Sequence, residues 1–387
     1  MQAEPRSVAR AWVEVDLGAV FRNAERVAGA VRPARLIVMV KADGYGLGAT
    51  EVARAVSSLD PYALGVATAD EAVALRLGGF EGRIIVFAAC AARDAPTLAR
   101  HGVDAAVLGP SALESLTAAG VPLHLEIDTG MGRAGLDSAR VHEWGPRLAA
   151  LLEQGAHLET VFTHFHSAGH DERATRGQAA RFQAALGALA RMGVSVPPRH
   201  AANSDAISGD RQYHLDLVRP GLYLYGGGRG RGLSTRLPDS EPVACVHARV
   251  LEVRDLAPGS SISYGATYVT SGRERIATVG IGYADGLPPG SANRGHVLIG
   301  GQRAPIRGTV CMDMIAVDVT GLSGVEPGDV VTVLGRDGGA EISLAELARL
   351  EGTIEYRVLT GLGRRLPRVY VAAPTAESTR VVNDFQG

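Results

Sequence analysis

Short apolar segments alternate with segments of helical periodicity from residue 12 to about residue 228. Each apolar segment has the length of a buried strand, whereas residues 49–57, 69–77 and 178–192 repeat apolar side chains at the spacing of one helix face. This alternation is typical of βα units whose strands form a parallel sheet. The predicted strands lie at residues 36–40, 63–67, 84–88, 105–108, 123–127, 158–162, 198–201 and 215–218.

These strand–helix units predict an α/β fold that begins with a (β/α)8 TIM-type barrel at residues 10–235, and barrels of this kind need roughly 200 to 250 residues. The pattern changes after the glycine cluster at 226–228 and the polar stretch at 229–240. Alternating, β-branched segments joined by tight turns follow, and only 344–350 has helical periodicity. We therefore predict a separate β-strand-rich C-terminal domain at residues 241–387, with strands at 243–253, 275–282, 296–299, 314–319 and 329–334.

Composition and charge favour a soluble protein with a small ligand. The formal net charge is −2, so we expect no net attraction to nucleic acid or to an anionic membrane. The first ten residues lack an apolar signal core, and no stretch approaches the roughly 18 apolar residues of a membrane span, which predicts a cytoplasmic protein. Cys90, Cys245 and Cys311 are far apart and lack the spacing of a zinc site, which indicates free thiols.

Lys41 is the only lysine among the 39 lysine and arginine residues of the chain. Arginine stays charged, whereas a lysine whose surroundings lower its pKa can lose a proton and form a Schiff base with a carbonyl. Lys41 follows the apolar segment 36–40 and precedes a glycine-rich turn, and active sites of parallel α/β folds lie at such strand ends. Base composition could leave one lysine by chance, but this position favours a nucleophilic amine.

The segment around Lys41 resembles the cofactor-lysine motif of alanine racemases, which are pyridoxal-phosphate enzymes of the barrel fold type. Other segments are similar to motifs of the same family and occur in its order, so the likeness covers residues 10–370. They are Val-Glu-Val-Asp-Leu at 13–17, Asp-Thr-Gly-Met-Gly-Arg-Ala-Gly at 128–135, Thr-His-Phe at 163–165, Ala-Asn-Ser at 202–204, Val-Arg-Pro-Gly at 218–221, Ser-Tyr-Gly at 263–265, Gly-Tyr-Ala-Asp-Gly at 282–286 and Met-Asp at 312–313.

This resemblance implies pyridoxal-phosphate-dependent racemisation of L-alanine to D-alanine, as cell-wall precursor synthesis would require. Lys41 would hold the cofactor and act as one base. Tyr264 would act on the opposite face, because racemisation requires proton transfer on both faces of Cα. His164 and Arg219 would stabilise the phenolate of Tyr264. From the residues alone, Tyr264 could also be an ordinary strand tyrosine.

The resemblance also implies a head-to-tail homodimer with composite active sites. Tyr264 and Met312 of one subunit would complete the site of the other, so a monomer would be inactive. Met312 would bind the substrate carboxylate through its backbone N–H, and Asp313 is a supporting residue of the same motif. A core methionine is the alternative interpretation of Met312.

Arg219 would donate a hydrogen bond to an unprotonated pyridine nitrogen of the cofactor. Pyridoxal enzymes that need a strong electron sink place a carboxylate there, so an arginine favours return of the proton to Cα and argues against a decarboxylase. Neutral donors would hold the phosphate. The residues that match the family's cofactor contacts are Tyr45, His164, Asn203, Ser204, Arg219, Gly221, Leu222 and Tyr356.

The sequence departs from the family pattern near Arg133, which resembles the arginine that contacts the cofactor and the substrate carboxylate. Many family members carry a carbamylated lysine seven residues earlier, where this chain has Glu126. We predict that Glu126 replaces the carbamate and pairs with Arg133. A second departure is the loop from His166 to Asp171, whose histidines form a weak ligand set, so no metal site is expected.

Three alternatives remain open at this stage. An amino-acid racemase of broader or different specificity would use the same scaffold, since the sequence does not fix how large a side chain the pocket accepts. A non-enzymatic pyridoxal-phosphate-binding protein would keep Lys41 but would need neither Tyr264 nor the second domain. A barrel-type decarboxylase would carry an acidic residue in place of Arg219.

The single lysine permits a direct chemical test. Reduction of the cofactor-loaded protein with borohydride is expected to fix pyridoxal phosphate on Lys41, because no other side-chain amine exists. Peptide mapping by mass spectrometry would locate the modified residue, and a Lys41→Ala variant treated in the same way is the control. Equal labelling of that variant would contradict the assignment.

Overall fold

The parallel strands predicted in the first half of the chain close into a barrel in the computed structural model, which describes residues 9–88, 92–228 and 237–371. Within these residues the barrel order is β2-β3-β4-β5-β6-β8-β9-β10, with β10 paired to β2. The strands of the first half are β1 (Ala11–Asp16), β2 (Arg35–Met39), β3 (Ala63–Val66), β4 (Ile84–Val86), β5 (Asp104–Val107), β6 (Leu123–Asp128), β7 (Leu136–Asp137), β8 (Leu158–Phe162), β9 (Arg199–Asn203) and β10 (Leu217–Arg219).

Most of the helices lie between these strands and bury one face against them, whereas the last two helices of the described residues belong to the second half of the chain. In the helix that follows Asp171, the buried face includes Phe182, Leu186 and Leu189, and the Asp171 carboxylate accepts a hydrogen bond from the Ala174 N–H at 2.9 Å, which caps the helix. The helices are α1 (Leu17–Val31), α2 (Ala49–Val56), α3 (Ala69–Leu77), α4 (Ala95–Arg100), α5 (Pro110–Ala118), α6 (Val141–Glu153), α7 (Glu172–Arg191), α8 (Ser204–Ile207), α9 (Leu344–Glu351) and α10 (Glu355–Thr360).

The second half of the chain is rich in antiparallel strands, as its alternating pattern predicts. These strands form a sheet of order β19-β18-β15-β16-β17-β14-β11-β1-β20, in which β18 also pairs with β11, and a small hairpin of β12 and β13. They are β11 (Ala244–Leu256), β12 (Ser261–Ile262), β13 (Tyr268–Val269), β14 (Glu274–Val279), β15 (His296–Ile299), β16 (Gln302–Arg307), β17 (Ile315–Asp318), β18 (Val330–Asp337), β19 (Ala340–Ile342) and β20 (Arg368–Val371).

The N-terminal strand does not belong to the barrel. β1 pairs antiparallel with β11 and parallel with β20, so residues 11–16 lie in the second sheet although the predicted barrel range begins at residue 10. The sequence pattern could not show this pairing, because hydrophobic periodicity predicts the type of an element and not its partners. Both partners of β1 lie much later in the chain. The chain enters the second sheet first and then builds the barrel.

The confirmed α/β fold places the carboxyl ends of all barrel strands at one rim, where active sites of such barrels lie. Cys245 and Cys311 are free thiols, and Cys90 lies outside the described residues. Within the described ranges, no helix combines the length and the apolar character needed to cross a membrane.

Candidate active site

Lys41 begins a left-handed turn at the carboxyl end of β2. Residues 42–45 have φ angles of 53°, 54°, 60° and 57°, of which only Gly44 lacks a Cβ. Each non-glycine residue in this conformation costs roughly 1 kcal/mol, so the turn needs external support. The Glu71 carboxylate provides it by accepting hydrogen bonds from the backbone N–H groups of Ala42 and Ala67, both at 2.7 Å. Lys41 therefore sits on a turn that is fixed to the neighbouring strand.

A cavity of about 680 Å³ opens at this rim of the barrel. It brings together most of the predicted site residues, which come from five barrel strands or the loops after them and from α10. These predicted residues are Lys41, Tyr45, Glu126, Arg133, His164, Asn203, Ser204, Arg219, Gly221 and Tyr356. The cavity is also lined by residues that were not predicted, among them Met39, Phe87, Phe162 and Ile354.

The Lys41 amine shares the cavity with the guanidinium groups of Arg133 and Arg219. Although water reaches its side chain through the open cavity, the surrounding rim desolvates the ammonium and lowers the pKa of Lys41, and the charges of Arg133 and Arg219 lower it further. Glu71 acts in the opposite direction. A lysine in this setting is more easily deprotonated, which is what a nucleophilic amine and a base require.

Arg219 is a buried charge at the centre of the site, with 5 % of its surface exposed. Its Nη2 group donates to the carbonyl oxygens of Thr163 at 2.9 Å and Ala201 at 3.0 Å, and its Nη1 group donates to His200 Nδ1. Desolvation lowers the pKa of Arg219 to about 10, which still leaves it charged at neutral pH. Among the described residues, no acceptor is found for its Nε–H, so a donor remains at the cavity wall.

His164 is held as a neutral ring. Its Nδ1 lies 3.2 Å from Arg219 Nη2, which shares its two N–H groups among this nitrogen and the carbonyl oxygens of Thr163 and Ala201; since a guanidinium can only donate, Nδ1 is an acceptor. Burial, followed by the charges of Arg219, Arg133 and Lys41, lowers the pKa of His164 to about 3. This histidine therefore carries its proton on Nε2 over the pH range in which an unperturbed histidine titrates.

Glu126 is the buried carboxylate of the site, with 4 % of its surface exposed. Desolvation raises the pKa of Glu126, whereas Arg219 and then Arg133 lower it, in that order of strength. The predicted direct pairing with Arg133 is wrong, because no hydrogen bond or ion pair joins these two described residues. A glutamate side chain is shorter than a carbamylated lysine and does not reach the exposed guanidinium, so Glu126 acts mainly on the buried Arg219.

The predicted phosphate donors converge on one wall of the cavity. Ser204 Oγ accepts a hydrogen bond from the Gly221 N–H at 2.9 Å, and Asn203 caps α8 by accepting from the Ala206 N–H at 3.0 Å. A Cβ on residue 221 would collide with the Tyr45 hydroxyl, so only glycine leaves this space open. Leu222 does not line the cavity, and its side chain is buried in the core.

Two aromatic contacts fix the Tyr45 ring on this wall. It stacks on Tyr225 with 4.5 Å between ring centroids and tilts against Tyr356 at 5.9 Å. The Tyr225 hydroxyl in turn donates to the Met39 carbonyl oxygen at 2.9 Å, which ties the stack to the end of β2. Burial raises the pKa of Tyr45, so its hydroxyl stays protonated and can donate a hydrogen bond.

Three predicted residues lie away from the cavity of their own chain. Tyr264 and Met312 are exposed, with 76 % and 51 % of their surfaces accessible. Asp313 forms an ion pair with Arg365 at 2.8 Å. Tyr264 stands on a turn in which Ser263 has a φ of 64°, and its carbonyl oxygen accepts a hydrogen bond from Thr309 Oγ1 at 2.9 Å. The contact of Tyr264 with His164 and Arg219 is therefore not made within one chain.

Contacts within the chain hold the loop after His164. His166 Nδ1 lies 2.6 Å from Ser167 Oγ, and Asp171 is occupied as the cap of α7. Among the residues that the structure describes, no three His, Cys, Asp or Glu side chains are grouped in a way that could hold a metal ion. Gln178 fixes the start of this loop, because its amide donates to the His164 carbonyl oxygen at 3.0 Å.

Sequence reasoning missed His124, Thr160 and His200, which are fully buried in the barrel behind Arg219. A signal for them exists. Polar residues at alternate positions of a barrel strand point to its interior, and β6 reads Leu-His-Leu-Glu-Ile-Asp with His124 and Glu126 in alternation. The apolar residues between them give the segment the character of a buried strand, and this pattern does not show which polar side chains meet inside the barrel.

Comparisons with known proteins agree with this geometry. Residues 15–228 match the family model of the alanine racemase N-terminal domain, and residues 243–370 match that of the C-terminal domain. An alanine racemase of Symbiobacterium thermophilum is 40 % identical over 366 residues, which cover 93 % of this chain and 96 % of that protein.

Solved structures are similar over nearly the whole chain. The alanine racemase of D-cycloserine-producing Streptomyces lavendulae has a TM-score of 0.89 and 32 % identity, and covers 94 % of this chain and 98 % of its own. That of Bartonella henselae, with covalently bound pyridoxal phosphate, has a TM-score of 0.84 and 28 % identity, and covers 94 % and 100 %. Since both family domains match in order and the relative from Symbiobacterium thermophilum is aligned almost end to end, the chain belongs to the alanine racemase family.

Proposed function

We propose that this protein interconverts L-alanine and D-alanine with pyridoxal phosphate held on Lys41, and that the D-alanine is used for cell-wall precursor synthesis. The observation that carries this proposal is the cavity at the rim of the barrel, which is lined by the only lysine of the chain, by a buried arginine and by neutral groups that can bind a phosphate. The related protein of Bartonella henselae binds the same cofactor covalently.

The residues of the cavity fit pyridoxal phosphate. Ser204 Oγ, the Tyr45 hydroxyl and the space kept open at Gly221 suit a phosphate that is bound without a second lysine. On the opposite side, Arg219 presents a donor and cannot accept a proton, which suits an unprotonated ring nitrogen. When bound, the cofactor delocalises the electron pair that is left at Cα as the proton departs.

The residues of this chain transfer the proton at Cα and bind the substrate and the cofactor while it is transferred. Lys41, with its lowered pKa, can take the proton from one face of Cα and return it. Arg133 lies in the cavity wall, where its guanidinium can bind the substrate carboxylate. Arg219 holds its charge in place through its backbone acceptors, so it keeps the ring nitrogen unprotonated while Cα is deprotonated.

We propose that Tyr264 of a second copy of the chain supplies the base on the other face. Support comes from exposed, largely apolar side chains around Tyr264 and Met312, which include Tyr283 and Met314 at 44 % and 43 % exposure. Large apolar groups exposed together are typical of protein interfaces. A head-to-tail homodimer would bury them and bring Tyr264 to His164 and Arg219.

Racemisation is tested by incubating the cofactor-loaded protein with L-alanine, L-serine or L-lysine and separating the enantiomers by chiral chromatography. We expect D-alanine to accumulate until both enantiomers are equal, and the Lys41→Ala variant to form none. Preferred turnover of another amino acid would assign a different specificity. Release of CO2, or no turnover at all, would contradict the proposal.

The shared active site is tested by mixing two inactive variants. Lys41→Ala and Tyr264→Phe each lack one base, but a mixed dimer contains one site with both. After subunits are exchanged, activity is expected to rise to roughly a quarter of the wild-type value, because half of the dimers are mixed and each has one complete site of two. The unmixed variants are the controls. Sedimentation of the active protein as a monomer would contradict the dimer.

Glu126 is tested by the Glu126→Gln substitution. Since its carboxylate raises the pKa of Arg219 and is itself stabilised by the charges of Arg219 and Arg133, its loss removes a negative charge that compensates these two cations. We expect the KM for alanine to rise by about tenfold and the absorption of the bound cofactor to shift. Glu153→Gln, on the exposed face of α6, is the matched control. Wild-type kinetics in Glu126→Gln would refute this role.

A further inference from the structure

A chain of hydrogen bonds crosses the interior of the barrel behind Arg219. His200 Nε2 lies 3.0 Å from Thr160 Oγ1, Thr160 Oγ1 lies 2.6 Å from His124 Nδ1, and His124 Nε2 lies 3.1 Å from Asp104 Oδ2. Together with the bond from Arg219 to His200, these contacts use one residue from each of β10, β9, β8, β6 and β5, which are successive neighbours in the barrel. This series of hydrogen bonds connects Arg219 in the active site to Asp104 on the far side of the barrel interior.

The direction of each hydrogen bond follows from the chemistry of the two ends. A guanidinium only donates, so His200 Nδ1 must accept and the His200 proton must lie on Nε2. His200 then donates to Thr160, whose hydroxyl is left to donate to His124 Nδ1. His124 must therefore carry its proton on Nε2, and it donates to the Asp104 carboxylate, which only accepts. Both ends require the same direction.

The surroundings hold this arrangement in place. The side chains of His124, Thr160 and His200 have no exposed surface, so no water replaces a missing partner. The His200 ring stacks on Phe162 with 4.7 Å between centroids and 6° between planes, which fixes its orientation. At the far end, Arg83 Nε lies 3.4 Å from Asp104 Oδ2 and gives the carboxylate a cationic partner.

We propose that Asp104, acting through His124, Thr160 and His200, sets the ring tautomer that His200 presents to Arg219 and thereby positions the guanidinium in the active site. The four residues are positioning residues, since none of them lines the cavity. Were His200 to carry its proton on Nδ1, two donors would face each other and Arg219 would lose its contact. The role assigned to Arg219 rests on the proposed function, whereas the tautomers do not.

The tautomers are measured directly in the cofactor-loaded wild-type enzyme. With 15N-labelled histidine, long-range proton–nitrogen NMR spectra distinguish a ring protonated on Nε2 from one protonated on Nδ1, and spectra of His124→Asn and His200→Asn assign the two rings. We expect both rings to be neutral and protonated on Nε2. A proton on Nδ1 of either ring would overturn the proposal. Correct tautomers without any racemisation would refute the proposed function alone.

Thr160 offers a matched pair of variants for the functional consequence. Thr160→Val keeps the shape but removes the hydroxyl, so kcat is expected to fall about tenfold and the absorption maximum of the bound cofactor to shift. Thr160→Ser keeps the hydroxyl and is expected to retain the wild-type spectrum and kcat. A valine variant with wild-type spectrum and kcat, or a serine variant as impaired as valine, would overturn the proposal. If the Thr160→Val variant does not fold, the NMR measurement of the His124 and His200 tautomers in the wild-type enzyme decides whether the proposal holds.

Discussion

The buried charge of Arg219 is the constraint on which the site depends. A guanidinium removed from water is stable only when its donors are satisfied and its charge is compensated. The barrel meets this need for the two Nη groups with the carbonyl oxygens of Thr163 and Ala201 and with His200, and the carboxylate of Glu126 compensates the charge, whereas the Nε–H is left as a donor at the cavity wall. These partners come from β6, β9 and the loop after β8, so closure of the barrel fixes the position of Arg219.

Burial has the largest effect on the pKa of the other titratable groups of the site, and the charge of Arg219 adds to this effect or opposes it. This charge lowers the pKa of His164 and of Lys41, and it counteracts the effect of burial on Glu126. Burial and the neighbouring guanidinium groups together hold His164 neutral and make Lys41 easier to deprotonate, and Arg219 partly offsets the rise that burial causes in the pKa of Glu126. A lysine in place of Arg219 would not do the same, since a buried ammonium can lose its proton.

The two domains supply different parts of the proposed site. The barrel carries Lys41 and Arg219 on fixed strand ends, and the second domain presents Tyr264 and Met312 on its surface. β1 links the two, because it pairs within the second sheet and leads directly into the first helix of the barrel. A subunit that holds its own lysine in a cavity and its tyrosine in solvent is consistent with a site that is completed by a second copy.

The sequence by itself determined the barrel strands, the change to a β-rich domain and the single lysine on which the proposed function rests, because strand periodicity and residue identity are local properties of the chain. Only the tertiary structure decided that β1 joins the second sheet, that Glu126 acts on Arg219 rather than pairing with Arg133, and that His124, Thr160 and His200 form one chain. These contacts join residues far apart in sequence. Their distances depend on barrel closure and side-chain length, which no local pattern records.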